Sequence, residues 1–177
     1  SVPYDVVDTE EARRLAEGRP RSFLHVVRSE IDLPADTDPH ADVVYQRALA
    51  NFRALQNDAL LRESEPSIYL YRQEATLLGR AVRQTSIVVC CHVDDYRDGV
   101  IKRHEKTRRD KEDDRTRHVL TLRTNTGPVF MMYPDRASIP ALMAAETAAQ
   151  PLYDFVAVDG VRHVVWKSSA PRRYVDE

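Results

Sequence analysis

Glycine is scarce, with five in 177 residues. None are grouped as Gly-x-Gly-x-x-Gly or in a Walker-type loop, so a backbone cradle for nucleotide phosphates is poorly supported. Cysteine is limited to the adjacent Cys90 and Cys91. No further thiol completes a zinc set, and neighbours on a strand point to opposite faces, so the pair is expected as buried free thiols in a reducing compartment. Aromatic residues make up 7% of the chain and none lies within residues 102–118, which argues against base stacking as a mode of single-strand recognition. An excess of one charge is also missing. Lys and Arg number 26 against 28 Asp and Glu, the net charge is -2 and the pI is near 6.3. No global basic field exists for non-specific nucleic-acid binding, and nucleic acid is not an expected partner. No apolar run approaches the roughly 18 residues that cross a bilayer, and no basic segment followed by an apolar one opens the chain. The expectation is a cytoplasmic protein without a membrane span or signal peptide.

A hydrophobic content of 42% suffices for a real core at this length, and a single domain over 1–177 is expected. The chain opens on Ser1-Val2-Pro3-Tyr4-Asp5 and ends on Asp176-Glu177 with no closing structural signal. Both ends read as cut, as in a fragment of a longer protein.

Along the chain, residues 9–17 read as a short helix with Thr9 as N-cap and Gly18 as stop. Residues 22–28, rich in β-formers, read as a core strand, and residues 32–40 as a loop. The surest element is a helix over 41–61, in which Val44, Ala48, Phe52, Leu55 and Ala59 recur at steps of four, four, three and four, one face of about five turns. Residues 67–73 and 84–93 form a hairpin around 74–79. A turn at 94–99 delivers the chain into residues 102–118; residues 119–125 stay ambiguous, and an apolar strand covers 129–133. A further helix covers 135–150, with Pro140 tolerable only near its start. Residues 153–158 and 161–166 form a hairpin whose Asp159-Gly160 pair is a two-residue turn with positive φ values. Hairpins with helices between them predict an α+β fold, with a mainly antiparallel sheet and two or three amphipathic helices.

The densest chemical signal is residues 102–118, where only Thr107 and Thr116 are not Lys, Arg, His, Asp or Glu. No apolar stripe runs through it, so it is not a core helix. One explanation is a solvated, salt-bridge-laced helix or a loop. The other assigns Arg103, Lys106, Arg108 and Arg115 to an anion, since Arg offers a bidentate fork and Lys a point charge. His104 and Glu105 are then the catalytic proton-transfer candidates. Glu112, Asp113 and Asp114 suit Mg²⁺ as hard ligands, but consecutive carboxylates diverge on a helix, so no metal ligands are assigned. His25, His92 and His163 sit in apolar, strand-like runs and read as hydrogen-bonded structural residues, whereas His118 lies closer to the charged run.

Pro3-Tyr4-Asp5-Val6-Val7, Ser22-Phe23-Leu24-His25-Val26, residues 69–73, His104-Glu105-Lys106-Thr107, Lys111-Glu112-Asp113-Asp114-Arg115 and Thr126-Gly127-Pro128-Val129-Phe130 run in order through essentially the whole chain. Together they resemble the amino-terminal half of a bacterial and archaeal family known only as domain of unknown function 1015. Members of that family are longer, and their later part carries an Asp-Gly-His-His-Arg segment absent here. That segment is similar to one in free-serine kinases of the ParB and sulfiredoxin-like group. The resemblance implies phosphoryl transfer to or from a small hydroxylated or phosphorylated metabolite. The expected partner is a small phosphorylated or carboxylated metabolite, serine-like or phosphoserine-like, with Mg²⁺ and a nucleotide as cofactors if a kinase reaction is involved. The competing reading is a non-catalytic module or subdomain that docks an anionic partner through residues 102–118.

Overall fold

The computed structural model describes residues 6–58, 65–103 and 106–175. In chain order these residues form α1 (Thr9–Ala16), α2 (Leu24–Val27), a 3-10 turn (Ser29–Asp32), α3 (Asp42–Asp58), β1 (Tyr69–Leu77), β2 (Arg80–Val88), α4 (Val93–Arg97), α5 (Arg109–Leu122), α6 (Ser138–Thr147), β3 (Tyr153–Val156), β4 (Arg162–Lys167) and α7 (Arg172–Val175). The protein is α+β with an antiparallel sheet. The chain divides into two compact units, residues 1–62 with 103–131 and residues 63–102 with 132–177.

The first unit is helical among the described residues. Val44, Tyr45, Ala48, Phe52 and Leu55 form the buried stripe of α3, at the spacing expected of one helical face. The end of the expected helix, 59–61, lies outside the described residues. Residues 22–28 are not a strand. Phe23-Leu24-His25-Val26-Val27 is β-prone in isolation, but Leu24 packs in a cluster with Val7, Ala12, Ala16 and Ile31. Val26 joins another, with Ala48, Phe52, Leu55 and Leu122. Residues two apart share a strand face but point about 200° apart on a helix, so serving two clusters requires the helical turn. The cap of α1 also differs from expectation. Asp8 is the N-cap and its Oδ1 accepts from the Glu11 N–H at 2.8 Å; Thr9, already inside the helix, instead accepts from Arg28 Nη2 at 3.0 Å.

The second unit is a four-stranded sheet in the order β2-β1-β4-β3. One face carries Leu70, Val164 and Trp166, on which Ile87, Met143 and Tyr174 pack; the Trp166 indole donates to the Ala149 carbonyl at 2.9 Å, fixing the end of α6. The tight two-residue turn joins β1 to β2 at Leu78-Gly79, both with positive φ, 51° and 74°. The β3–β4 connection is longer than two residues. The Gly160 N–H donates to the Ala157 carbonyl and the Ala157 N–H to the Val161 carbonyl, and within the loop only Gly160 has positive φ, 81°. This is a type I turn closed by a glycine bulge, the usual solution for a three-residue loop.

Residues 129–133 form no strand. Cys90 and Cys91 are exposed, because β2 ends at Val88 before reaching them. His25 lies in α2 and His92 caps α4, its side chain accepting from the Asp94 N–H; only His163 is in a strand.

Candidate functional site

The second half of the charged run is a helix. Arg109 to Leu122 forms α5, of which His118 and Leu122 are buried. The tetrapeptide spacing places His118 one turn before Leu122, so a segment without an apolar stripe still seats one end on the core. There the His118 Nε2–H donates to the Val26 carbonyl at 3.0 Å. Burial, opposed by that carbonyl, holds the imidazole below its ordinary value, which keeps it neutral and structural.

One turn earlier, Asp114 is the centre of a half-buried polar cluster. The Tyr45 hydroxyl donates to its Oδ1 at 2.6 Å, and the Arg115 guanidinium donates to its Oδ2 from Nη2 at 2.7 Å and from Nε at 3.0 Å. His40 Nδ1 lies 3.4 Å from Oδ1. Burial pushes the Asp114 carboxyl up, but these donors outweigh it and leave it below the usual carboxylate range. Burial, together with Asp114, pushes the Tyr45 phenol well up. Arg117 covers the same tyrosine, its guanidinium carbon 4.4 Å from the ring centroid, and donates to the His40 carbonyl and to Asp42. This cluster was not read from the sequence as a unit. Tyr45, His40 and Arg117 belong to three separate runs, and only the packing of α3 on α5 brings them together.

At the other end of α5, the N-cap is Arg108, which offers no side-chain acceptor to the first turn. Instead its guanidinium grips Asp110, Nε to Oδ1 at 3.1 Å and Nη2 to Oδ2 at 2.6 Å. The fully exposed Asp110 carboxyl is held below its ordinary value by this fork first, with further help from the Asp110 and Lys111 amides. A carboxylate thus occupies the position where a helix N-terminus and an arginine favour an anion.

The expected site residues are therefore not gathered at one point. Arg103, Lys106 and Arg108 are exposed, Arg108 at the start of α5, while Arg115 is turned into the Asp114 cluster two turns on. His104 and Glu105 lie outside the described residues. Glu112 and Asp113 are exposed while Asp114 faces Tyr45. Among the described residues no group of three or more His, Cys, Asp and Glu side chains is placed to hold a metal ion. None of their helices is long and apolar enough to cross a membrane.

These features define an α+β protein whose charged run is split between an ordered polar cluster and an exposed basic helix start. The chain belongs to the family described as Protein of unknown function (DUF1015), whose model matches residues 1–174. No curated protein matches, and no solved structure does.

Proposed function

We propose that residues 102–118 form an anion-binding surface through which this chain grips the phosphate of a small metabolite, as part of a phosphoryl-transfer or phosphoester enzyme. The observation that supports this most directly is the Arg108–Asp110 fork at the start of α5. A guanidinium and helix amides already bind one oxyanion group there, and a phosphate is the stronger ligand for the same donors. Arg103 and Lys106 add positive charge on the approach. His104 and Glu105 are the proposed proton carriers, and the distant likeness to free-serine kinases suggests serine or phosphoserine, with Mg²⁺ and a nucleotide, as reactants.

The test is calorimetric titration with phosphoserine, pyrophosphate and ATP plus Mg²⁺. Asp110→Asn removes the competing carboxylate and is expected to tighten phosphate binding, whereas Arg108→Glu abolishes it. If neither variant differs from the parent chain, or none of the three compounds binds, this reading is wrong. Phosphorus NMR of ATP mixed with serine then reports directly on transfer.

A second reading, docking of an anionic macromolecular partner without chemistry, is favoured by the outward exposure of Lys106, Arg108 and Arg109. It predicts association that falls steeply with salt and no turnover.

A further inference from the structure

The sheet of the second unit has two unlike edges. On one, β2 carries Arg80 and Arg83, charges of the kind that discourage strand-to-strand association. On the other, β3 ends the order β2-β1-β4-β3, and Asp154 is the one charged residue between Leu152 and Val158. Leu152, Tyr153, Phe155, Val156 and Val158 are all exposed, Phe155 by 54% and Val156 by 65%. An uncovered apolar edge strand is a template for another strand.

The ladder shows which backbone groups are left open. The Ala157 N–H donates to the Val161 carbonyl, and β3 pairs with β4 so that Phe155 faces His163 and Tyr153 faces Val165. Hydrogen-bonded pairs alternate along an antiparallel ladder. Tyr153 and Phe155 therefore turn their N–H and C=O toward β4, while those of Asp154 and Val156 point outward, where no strand of the described residues pairs with them. On one face of the sheet a row of rings runs to this edge and stops. Tyr71 and His163 have centroids 5.9 Å apart, and His163 and Phe155 5.1 Å. On the other face Arg162 holds both Asp154 oxygens, at 2.8 and 2.7 Å, so the edge presents a neutralised carboxylate.

We propose that β3 is a docking edge for a second copy of this chain, the two β3 strands pairing antiparallel about a two-fold axis at Phe155. The open groups allow registers in which even-numbered residues meet. Asp154 opposite Asp154 of the second copy sets two carboxylates side by side, which is unfavourable. Val156 opposite Val156 sets Phe155 against Ala157 and breaks the ring row. Asp154 opposite Val156 avoids both faults and lets each such pair exchange both of its backbone bonds. It also sets Phe155 against Phe155 as a non-hydrogen-bonded pair, with Cα atoms about 4.5 Å apart, where aromatic side chains interact best. The Tyr71, His163 and Phe155 row then continues into the other sheet. Such a contact uses the same edge on both copies and closes at two. It lies within the second unit and does not depend on the anion-binding reading of residues 102–118.

Sedimentation velocity of the whole chain from about 1 μM to 1 mM reads the association. The parent chain is expected to show a monomer–dimer equilibrium. Val156→Pro removes an outward N–H without taking a bond from the β3–β4 ladder, and Phe155→Lys sets like charges on the axis. Each is expected to weaken the dimer roughly tenfold or more, whereas Leu120→Lys, a change at another exposed leucine, leaves it unaltered. A parent chain that stays monomeric over the whole range, or a dimer indifferent to both edge variants, overturns the proposal. If an edge variant fails to fold, cross-linking decides. With Cys90→Ser and Cys91→Ser in place, Phe155→Cys gives a disulfide-linked dimer in oxidised glutathione under conditions where Leu120→Cys does not, or the edge is not the interface.

Discussion

Tyr45 and Asp114 stand 69 residues apart in the chain, yet the tyrosine hydroxyl reaches the carboxylate at 2.6 Å and ties α3 to α5. The Asp114 side chain is only 12% exposed, so little water is available to replace a lost donor. Tyr45→Phe keeps the ring beneath Arg117 and deletes that donor. It is expected to destabilise the protein by roughly 1.5–3 kcal/mol in urea unfolding at pH 7, as loss of hydrogen bonds to charged groups does. Because the native carboxyl is held below its ordinary value, its contribution is complete above the unfolded value of about 3.9. It is lost only as pH falls through the lowered native value. The gap between Y45F and the parent chain is therefore flat from pH 8 to 5 and narrows in stronger acid; a gap that closes near neutrality excludes Asp114 as its source.

His118 loses its contribution in the same direction, as pH falls, but nearer neutrality. Burial lowers the native imidazole value, so as pH drops below about 6.5 the unfolded chain takes up the proton first and stability declines. His118→Gln preserves a donor for the Val26 carbonyl and removes the titration. Urea midpoints at pH 5.5 and 7.5 are expected to differ less in H118Q than in the parent chain. An equal difference means that the other histidines account for the acid sensitivity.

Leu78 holds a φ of 51° while 95% exposed, a left-handed conformation that costs a branched side chain about 1 kcal/mol or more. With Gly79 after it, Leu78→Asn creates the Asn-Gly pair favoured in such turns. The substitution is expected to raise Tm by about 2–4 °C without touching the first unit. An unchanged or lower Tm in a calorimetric scan argues that the Leu78 turn is not strained.

What could be read from the sequence followed the reach of each signal. Period-based elements emerged well: the α3 stripe, the β1–β2 pair and the β3–β4 pair depend on local alternation that the chain writes out directly. Residues 22–28 misled because β-propensity was outweighed by two clusters lying on opposite sides of one turn. The Leu78 turn was placed only to within 74–79, since leucine is not a residue that announces positive φ. In the charged run, Arg108 was legible as an anion ligand from its residue type, whereas its fork to Asp110 was not singled out and comes from the structure. The Asp114 cluster was not, because Tyr45 and His40 arrive from a helix and loop distant in sequence, and no spacing rule encodes that meeting.

Glu146 supplies the last test, in the second unit. Its Oε1 accepts from Ser168 Oγ at 2.9 Å and from the Ala170 N–H at 3.2 Å, while the Tyr174 hydroxyl donates to Oε2 at 3.4 Å. Burial, then this carboxylate, pushes the Tyr174 phenol up to about 12. One side chain on α6 therefore anchors the segment from the end of β4 to α7, which is too short a helix to persist alone. Glu146→Ala removes the acceptor of the Ser168, Ser169 and Tyr174 hydroxyls and leaves the Ala170 N–H with Ser168 Oγ alone, yet touches none of the Leu70, Val164 and Trp166 core. Amide hydrogen exchange is expected to accelerate across residues 168–175 by an amount equivalent to roughly 1–3 kcal/mol, with the β1 and β4 ladder still protected. Faster exchange throughout the sheet would instead make Glu146 part of the cooperative unit, because the anchor and the core would then open together.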